Sequence, residues 1–343
     1  MRYGILAIAL LLAACGGKDA RERIVIYSPH GKEMLSESEQ GFEQLHPEVD
    51  VQWIDMGGQD AYDRIRTEKE NPQASIWWGG AAQTFARAAN EGLLDPYTPT
   101  WSESVPPEAH DSNDYWYGTF LTPEVIAYND RVVSEAQAPG DWDDLLDPVW
   151  RGRLLIRYPL ASSTMRTIFG AMILRQPTVE EGYAWLARLD RNVKTYTADP
   201  TQLYLRLARQ EGDVTLWNMP DIELQSERNG YPFGYRIPAA GTPVLVDGIA
   251  LVKGGPNIDR AKQFYEFVTS DSAQIHQATA FYRIPVRKDI DSTKLPTWIS
   301  KARIKPMALD WDRLEQEGPT WMQYWDEQIK GRGENYLRER GLE

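Results

Sequence analysis

Apolar positions along this chain follow two rhythms: short runs rich in β-branched and aromatic residues, and longer stretches spaced as one face of a helix. IVIY (24–27) is the first run; Ser28-Pro29-His30-Gly31 breaks it, and Met34, Leu35, Ser38, Phe42 and Leu45 then recur at helical spacing. VDVQWI (49–54) is cut by Gly57-Gly58 and leads into a helical DAYDRIRTEKE. SIWW (75–78) runs into Gly79-Gly80, after which Ala82, Phe85, Ala89 and Leu93 predict a third helix, ended by Gly92 and Pro96. The pattern returns later. RLLIRY (153–158) precedes a helix marked by Met165, Ile168, Phe169, Met172 and Ile173; NVKTYT (192–197) precedes the helix TQLYLRLARQEG; and DVTLWN (213–218) is a further strand.

Repeated strand-loop-helix units predict an α/β fold with mixed, mostly parallel sheets, and their grouping predicts two lobes. YWYGTFLTPEVIAYND (115–130) reads as strands crossing from one lobe to the other, and PVLVDGIALVKGG (243–255) as the return. Ile258, Ala261, Phe264, Tyr265 and Val268 then predict an amphipathic helix. Trp311, Trp321 and Trp325 place the charged tail on helices over the second lobe. On this reading residues 24–120 and 245–295 form lobe 1, residues 121–244 and 296–343 form lobe 2, and a ligand cleft lies between them.

In open α/β sheets, ligands bind beyond the carboxyl ends of the strands, where loops lead into helix N-termini. Six loops qualify: Ser28-Pro29-His30, Gly57-Gly58-Gln59 and Gly79-Gly80-Ala81 in lobe 1, and Ala161-Ser162-Ser163-Thr164, Asp199-Pro200-Thr201 and Trp217-Asn218 in lobe 2. All are small or polar, and unpaired N–H groups at helix N-termini suit an anionic or oxygen-rich ligand. The expected contacts are Ser28, His30, Gly80 and Ala81 from lobe 1, and Ser162, Ser163, Thr164 and Asn218 from lobe 2. Asp247, alone in an apolar run, joins them, and Trp78 and Trp217 are placed to stack on the solute. Each has a plainer reading: paired glycines as turn chemistry, serines as helix caps, tryptophans as core. Arg157, Arg166 and Arg283 lie near these loops in sequence, though none is an obvious clamp.

Charge narrows the partner. There are 37 Lys and Arg against 50 Asp and Glu, a net charge of −13, which leaves no electrostatic footprint for nucleic acid. The one cysteine, Cys15, excludes an internal disulfide and a thiolate metal cluster. It follows Arg2, an apolar run from Ile5 to Leu12, and Ala13-Ala14, the layout of an export signal. Leu12-Ala13-Ala14-Cys15-Gly16 resembles the bacterial lipobox, in which the cysteine becomes the lipidated first residue. Residues 1–14 are then a signal peptide and 15–23 a lipidated tether. The body is expected to face the periplasm or the cell exterior, held by a lipid anchor at Cys15.

The common signatures of hydrolysis, phosphate-loop, zinc-helix and EF-hand chemistry are absent, so no catalytic residue, metal ligand or cofactor is assigned. A secreted carbohydrate-active or other enzyme, with an acid and base among the many carboxylates, and a sensory receptor without transport stay open.

The order of IVIYSPHGKE (24–33), SIWWGGAAQTFARAANEGLLDPY (75–97), the SST of 162–164, VDGIALVKGGPN (246–257) and FYRIPVRKD (281–289) resembles the extracellular solute-binding proteins of bacterial ABC importers. The likeness falls in the branch of the ferric-ion binders and their relatives for sugar phosphates, phosphonates and thiamine. It implies a type II periplasmic-binding fold, two lobes that close on the solute, a monomer, and an ABC permease as membrane partner. The chain departs from the ferric pattern: Gly80 stands where those proteins place a carboxylate, and Met219-Pro220-Asp221-Ile222-Glu223 stands where they carry adjacent tyrosines. A small organic anion, a sugar phosphate or phosphonate ahead of a carboxylate, is therefore the expected ligand. A ferric or other metal-ion receptor of the same fold is the alternative.

Overall fold

The computed structural model describes residues 21–342. Cys15 and the export signal lie outside the described residues. Lobe 1 opens with three βα units: β1 (Glu22–Ser28), α1 (Lys32–Leu45), β2 (Val49–Asp55), α2 (Gly58–Thr67), β3 (Ile76–Ala81) and α3 (Ala82–Asn90), followed by the short β4 (Leu94–Asp95). Strands β2, β1 and β3 pair in parallel. Trp77 and Trp78 are neighbours on β3 and point to opposite faces of the sheet, as the strand period of two demands. Trp77 packs with Tyr27 and Phe85 on one side, and Trp78 with Ile26 and Phe264 on the other. Leu93 falls beyond α3, and Leu45, at the last turn of α1, is 66% exposed, so the helical faces are shorter than their spacing predicts.

The crossing segment is one strand, β5 (Tyr117–Asn129). Its first half pairs antiparallel with β10 (Val244–Val252), and from Glu124 onward it pairs with β8 (Val214–Asn218) and β9 (Phe233–Arg236). The exchange of partners falls at Pro123-Glu124, where proline donates no ladder hydrogen bond. Lobe 2 also contains β6 (Leu154–Arg157), α4 (Ser163–Leu174), α5 (Val179–Asp190), β7 (Val193–Thr197), α6 (Pro200–Ala208) and α7 (Met219–Asn229). Strands β7, β6 and β8 pair in parallel. The full order is β2-β1-β3-β10-β5-β8-β6-β7: parallel outer strands flanking antiparallel crossing strands.

After β10 the chain forms α8 (Ile258–Val268), α9 (Asp271–Phe281) and β11 (Ile284–Pro285) against lobe 1, then recrosses through α10 (Trp298–Lys301). Helices α11 (Trp311–Gln328) and α12 (Gly333–Arg340) return to the lobe 2 core, where Trp321 and Trp325 are buried and Trp311 partly so. Lobe 2 packs around one hydrophobic core and lobe 1 around two, one on each face of its sheet.

Candidate functional site

All six strand-end loops reach one cavity of about 400 Å³ between the lobes. Pro29 and His30, Gly57 and Gly58, and Gly80 and Ala81 line it from lobe 1. Ala161 to Thr164, Asp199 to Thr201, and Trp217 and Asn218 line it from lobe 2. Leu245 and Asp247 of β10 and Thr122 of β5 form the floor, where the chain crosses.

Local geometry decides which residues can approach so closely. Gly79 and Gly80 have φ of 102° and 121°, a region that glycine alone adopts without strain. A Cβ on Gly79 would lie 2.7 Å from the Pro29 ring and 2.8 Å from His30 Nε2. A Cβ on Gly58 would lie 3.0 Å from Gly80 Cα and 3.3 Å from Ser163 Oγ, so the lobes nearly touch at this point. The paired glycines therefore serve both turn and close approach.

Two expected contacts lie behind the wall. Ser28 is fully buried; its Oγ accepts the His30 backbone N–H at 3.2 Å and its carbonyl accepts the Met56 N–H, so it shapes two lining loops. Trp78 is also fully buried, edge-on to the His30 ring at 4.9 Å and packed against Phe120 and Phe264, which prevents stacking on a solute. The alternation of side chains along β3 turns it into the core. Trp217 does reach the wall, with its indole N–H committed to Tyr204 and Asp221. Asn218 reaches it too; its Oδ1 caps α7 through the Asp221 N–H, and its Nδ2 donates to the Asp221 carboxylate. Ser162 Oγ accepts the Met165 N–H and caps α4, while Ser163 and Thr164 belong to its first turn and do not cap it.

Charge in the wall is mixed. Arg157, at the end of β6, is 8% exposed; one terminal nitrogen donates to the Ala161 carbonyl, and Nε has no partner. Burial lowers its pKa, with Tyr204 and Asp199 opposing. Arg283 reaches Asp221 across the lobes at 3.4 Å. Asp247 accepts from the Gly80 N–H at 3.1 Å and from the Thr122 hydroxyl. Burial raises its pKa, while Thr122, Arg283 and the Gly80 N–H pull the other way. Asp55, the last residue of β2, is raised by burial and then by Asp221 and Glu33. His30 is held well below its ordinary value by burial and by Arg283, so its imidazole is neutral. Beneath the floor, Glu124 is fully buried with neither oxygen in a hydrogen bond of good geometry. Burial, then Asp247 and Asp221, push its pKa well above the ordinary carboxylate value, with the Thr164 hydroxyl opposing.

Sequence reasoning passed over Asp55 and gave Arg157 and Arg283 no role. Asp55 and Arg157 are the terminal residues of their strands, the position where the loop rule begins, and a search restricted to the loops starts one residue too late. Arg283 is brought in by the turn from α9 into β11, which pairs with β5, a placement that no local spacing encodes. Arg166 lies outside this cavity and bonds to Gln59 at its rim.

The model of the bacterial extracellular solute-binding protein family matches residues 40–306. A probable ABC transporter periplasmic-binding protein of Sinorhizobium fredii is 24% identical, over 92% of this chain and 89% of its own length. Iron uptake protein A1 of Synechocystis is 26% identical, over 79% of this chain and 76% of its own. The periplasmic binding protein AfuA of Actinobacillus pleuropneumoniae, solved with exogenous fructose-6-phosphate bound, superposes with a TM-score of 0.79 at 24% identity, covering 90% of this chain and 98% of that one. The fold is that of the type II periplasmic binding proteins.

Proposed function

The chain belongs to the bacterial extracellular solute-binding proteins, and we propose that it captures a small organic oxyanion, foremost a sugar phosphate or phosphonate, and delivers it to an ABC permease. One observation carries the ligand class. Helices α2 and α3 begin at the cavity wall with no side-chain cap, and they face the N-terminus of α4 and the buried guanidinium of Arg157. Uncapped helix N-termini and a guanidinium in the wall form a site that suits an acceptor-rich group.

The oxyanion would sit against the start of α2 at Gly58 and of α3 beyond Ala81 on one side, with Gly80, whose N–H is held by Asp247, giving only close approach, and against Ser163, Thr164 and Arg157 on the other, so it contacts both lobes only when they are together. Closure driven by such a ligand is a population shift. The carboxylates of Asp55, Asp199 and Asp221 accept from hydroxyl or ammonium groups on the rest of the solute. The protein acts by binding, with no chemical step.

A ferric site is the second reading, supported by the iron-uptake relative. Asp55, Asp221 and Asp247 would be its oxygen ligands, but Arg283 lies among them, and no group of three or more His, Cys, Asp or Glu suited to a metal occurs among the described residues.

A thermal-shift screen against ferric ion, sugar phosphates, phosphonates, carboxylates and neutral sugars separates these. Ligand at 100 times its Kd adds about 2.7 kcal/mol to stability. The proposal expects a rise in Tm with a phosphate- or phosphonate-bearing solute; a rise with ferric ion alone would overturn it.

A further inference from the structure

We propose that Glu315, on α11, is the centre of a charge latch that holds the lobes together at the rim of the cleft before any solute enters. Helix α11 belongs to lobe 2 by its packing: Leu314 and Trp321 lie against Gly170 of α4. Its N-terminal half, however, faces α3 of lobe 1. Glu315 Oε1 stands 3.2 Å from Arg87 Nε, with both side chains about three-quarters buried. The Arg87 guanidinium lies 4.2 Å above the Tyr62 ring, which fixes it on lobe 1. Gln59 of lobe 1 accepts from Arg166 of lobe 2 at 2.7 Å, and Arg87 reaches the same oxygen at 3.5 Å. The contacts run from lobe 2 to lobe 1 and back again.

The electrostatics give the cluster a direction. Two guanidiniums from opposite lobes are brought together at this rim, and Glu315 is the carboxylate that acts on both. Arg166 feels burial first, then the favourable Glu315, the unfavourable Arg87 and the favourable Asp63 and Asp60. Without Glu315, only Asp60 and Asp63 of lobe 1 offset the repulsion between Arg87 and Arg166 in a partly desolvated gap, where screening is weak. Opening relieves that repulsion. None of Arg87, Arg166 and Glu315 lines the main cavity, so the latch acts on the equilibrium between open and closed states and leaves the solute contacts alone. Apparent affinity then scales with the closed fraction. The inference concerns the free protein and does not depend on which solute binds.

The test uses spin labels at exposed positions of opposite lobes, K69C and E180C in a C15S background, with distance distributions measured by pulsed electron resonance without ligand. The latch predicts a longer mean distance in E315Q than in the parent, and a smaller lengthening in E315Q combined with R87M, because one of the repelling charges has gone while the Arg166–Gln59 bond across the lobes is kept. R87M, which attacks the latch from the other lobe, should lengthen the distance less than E315Q. Near-ultraviolet circular dichroism of each variant reports whether it stays folded. For any solute that binds, E315Q should weaken affinity about three- to tenfold. Identical distance distributions in the parent, E315Q and R87M would overturn the latch. So would equal lengthening in E315Q and the double variant, which would show that charge is not its cause.

Discussion

The two walls of the cleft are built from the same kind of unit and finished differently. In lobe 2, α4, α6 and α7 each start with a side-chain cap, from Ser162, Asp199 and Asn218. In lobe 1, α1, α2 and α3 start at Gly31, Gly57 and Ala81, and none receives one. A missing cap costs a helix roughly 1 kcal/mol. Lobe 1 therefore leaves free donors where a ligand can take the place of the cap, whereas lobe 2 is self-satisfied in backbone and brings Arg157, Ser163 and Thr164 as added donors. One wall is organised by its own side chains; the other is completed by the solute.

Substitutions can break this contrast, and the largest expected effect lies where the walls share a floor. Burial, then Asp247 and Asp221, hold the Glu124 carboxyl well above its ordinary pKa in the folded chain, and unfolding releases it. The folded state therefore holds more protons from about pH 4.5 upward, and stability falls as pH rises through that window. The slope is at most about 1.4 kcal/mol per pH unit. Glu124→Gln should flatten it, so denaturant titrations at pH 5 and pH 8 should differ less in the variant than in the parent.

Arg157→Ala comes next. Losing a charge-assisted contact of about 1.5–3 kcal/mol should weaken an oxyanion ligand roughly ten- to a hundredfold in calorimetric titration. Ser163→Ala with Thr164→Ala should cost about tenfold in affinity; neither hydroxyl caps α4, and the Thr164 hydroxyl's contact with Glu124 is the structural tie that the pair removes. Ser162→Ala should do the reverse, lowering stability by about 1 kcal/mol while affinity changes less. If Ser162→Ala and the Ser163/Thr164 pair behave alike, the separation of cap from contact is wrong.

Much of this architecture was legible in the sequence because strand ends are punctuated: Gly57-Gly58, Gly79-Gly80, Asp199-Pro200 and Ser162-Ser163 interrupt apolar runs, and all reach the cavity. Period-two alternation could not decide the place of Trp78, because both faces of β3 are covered and Trp77 and Trp78 are buried on opposite sides. What local pattern cannot encode is the third dimension. Arg283 arrives at the cleft where β11 pairs with β5, Glu315 arrives at its rim after the last crossing, and the raised pKa of Glu124 comes from burial and from Asp247 and Asp221, which only the folded chain supplies. The lone Asp247 was visible as an anomaly; its partners, Thr122 and the Gly80 N–H, were not.

The most direct test of the central claim is a calorimetric titration of the purified protein with a sugar phosphate and, in parallel, with its dephosphorylated sugar, on the parent and on Arg157→Ala. The account predicts binding of the phosphate ester alone, weakened at least tenfold by the substitution. Equal affinity for the neutral sugar, or a phosphate ester that binds the variant as well as the parent, would contradict an oxyanion held between the two walls.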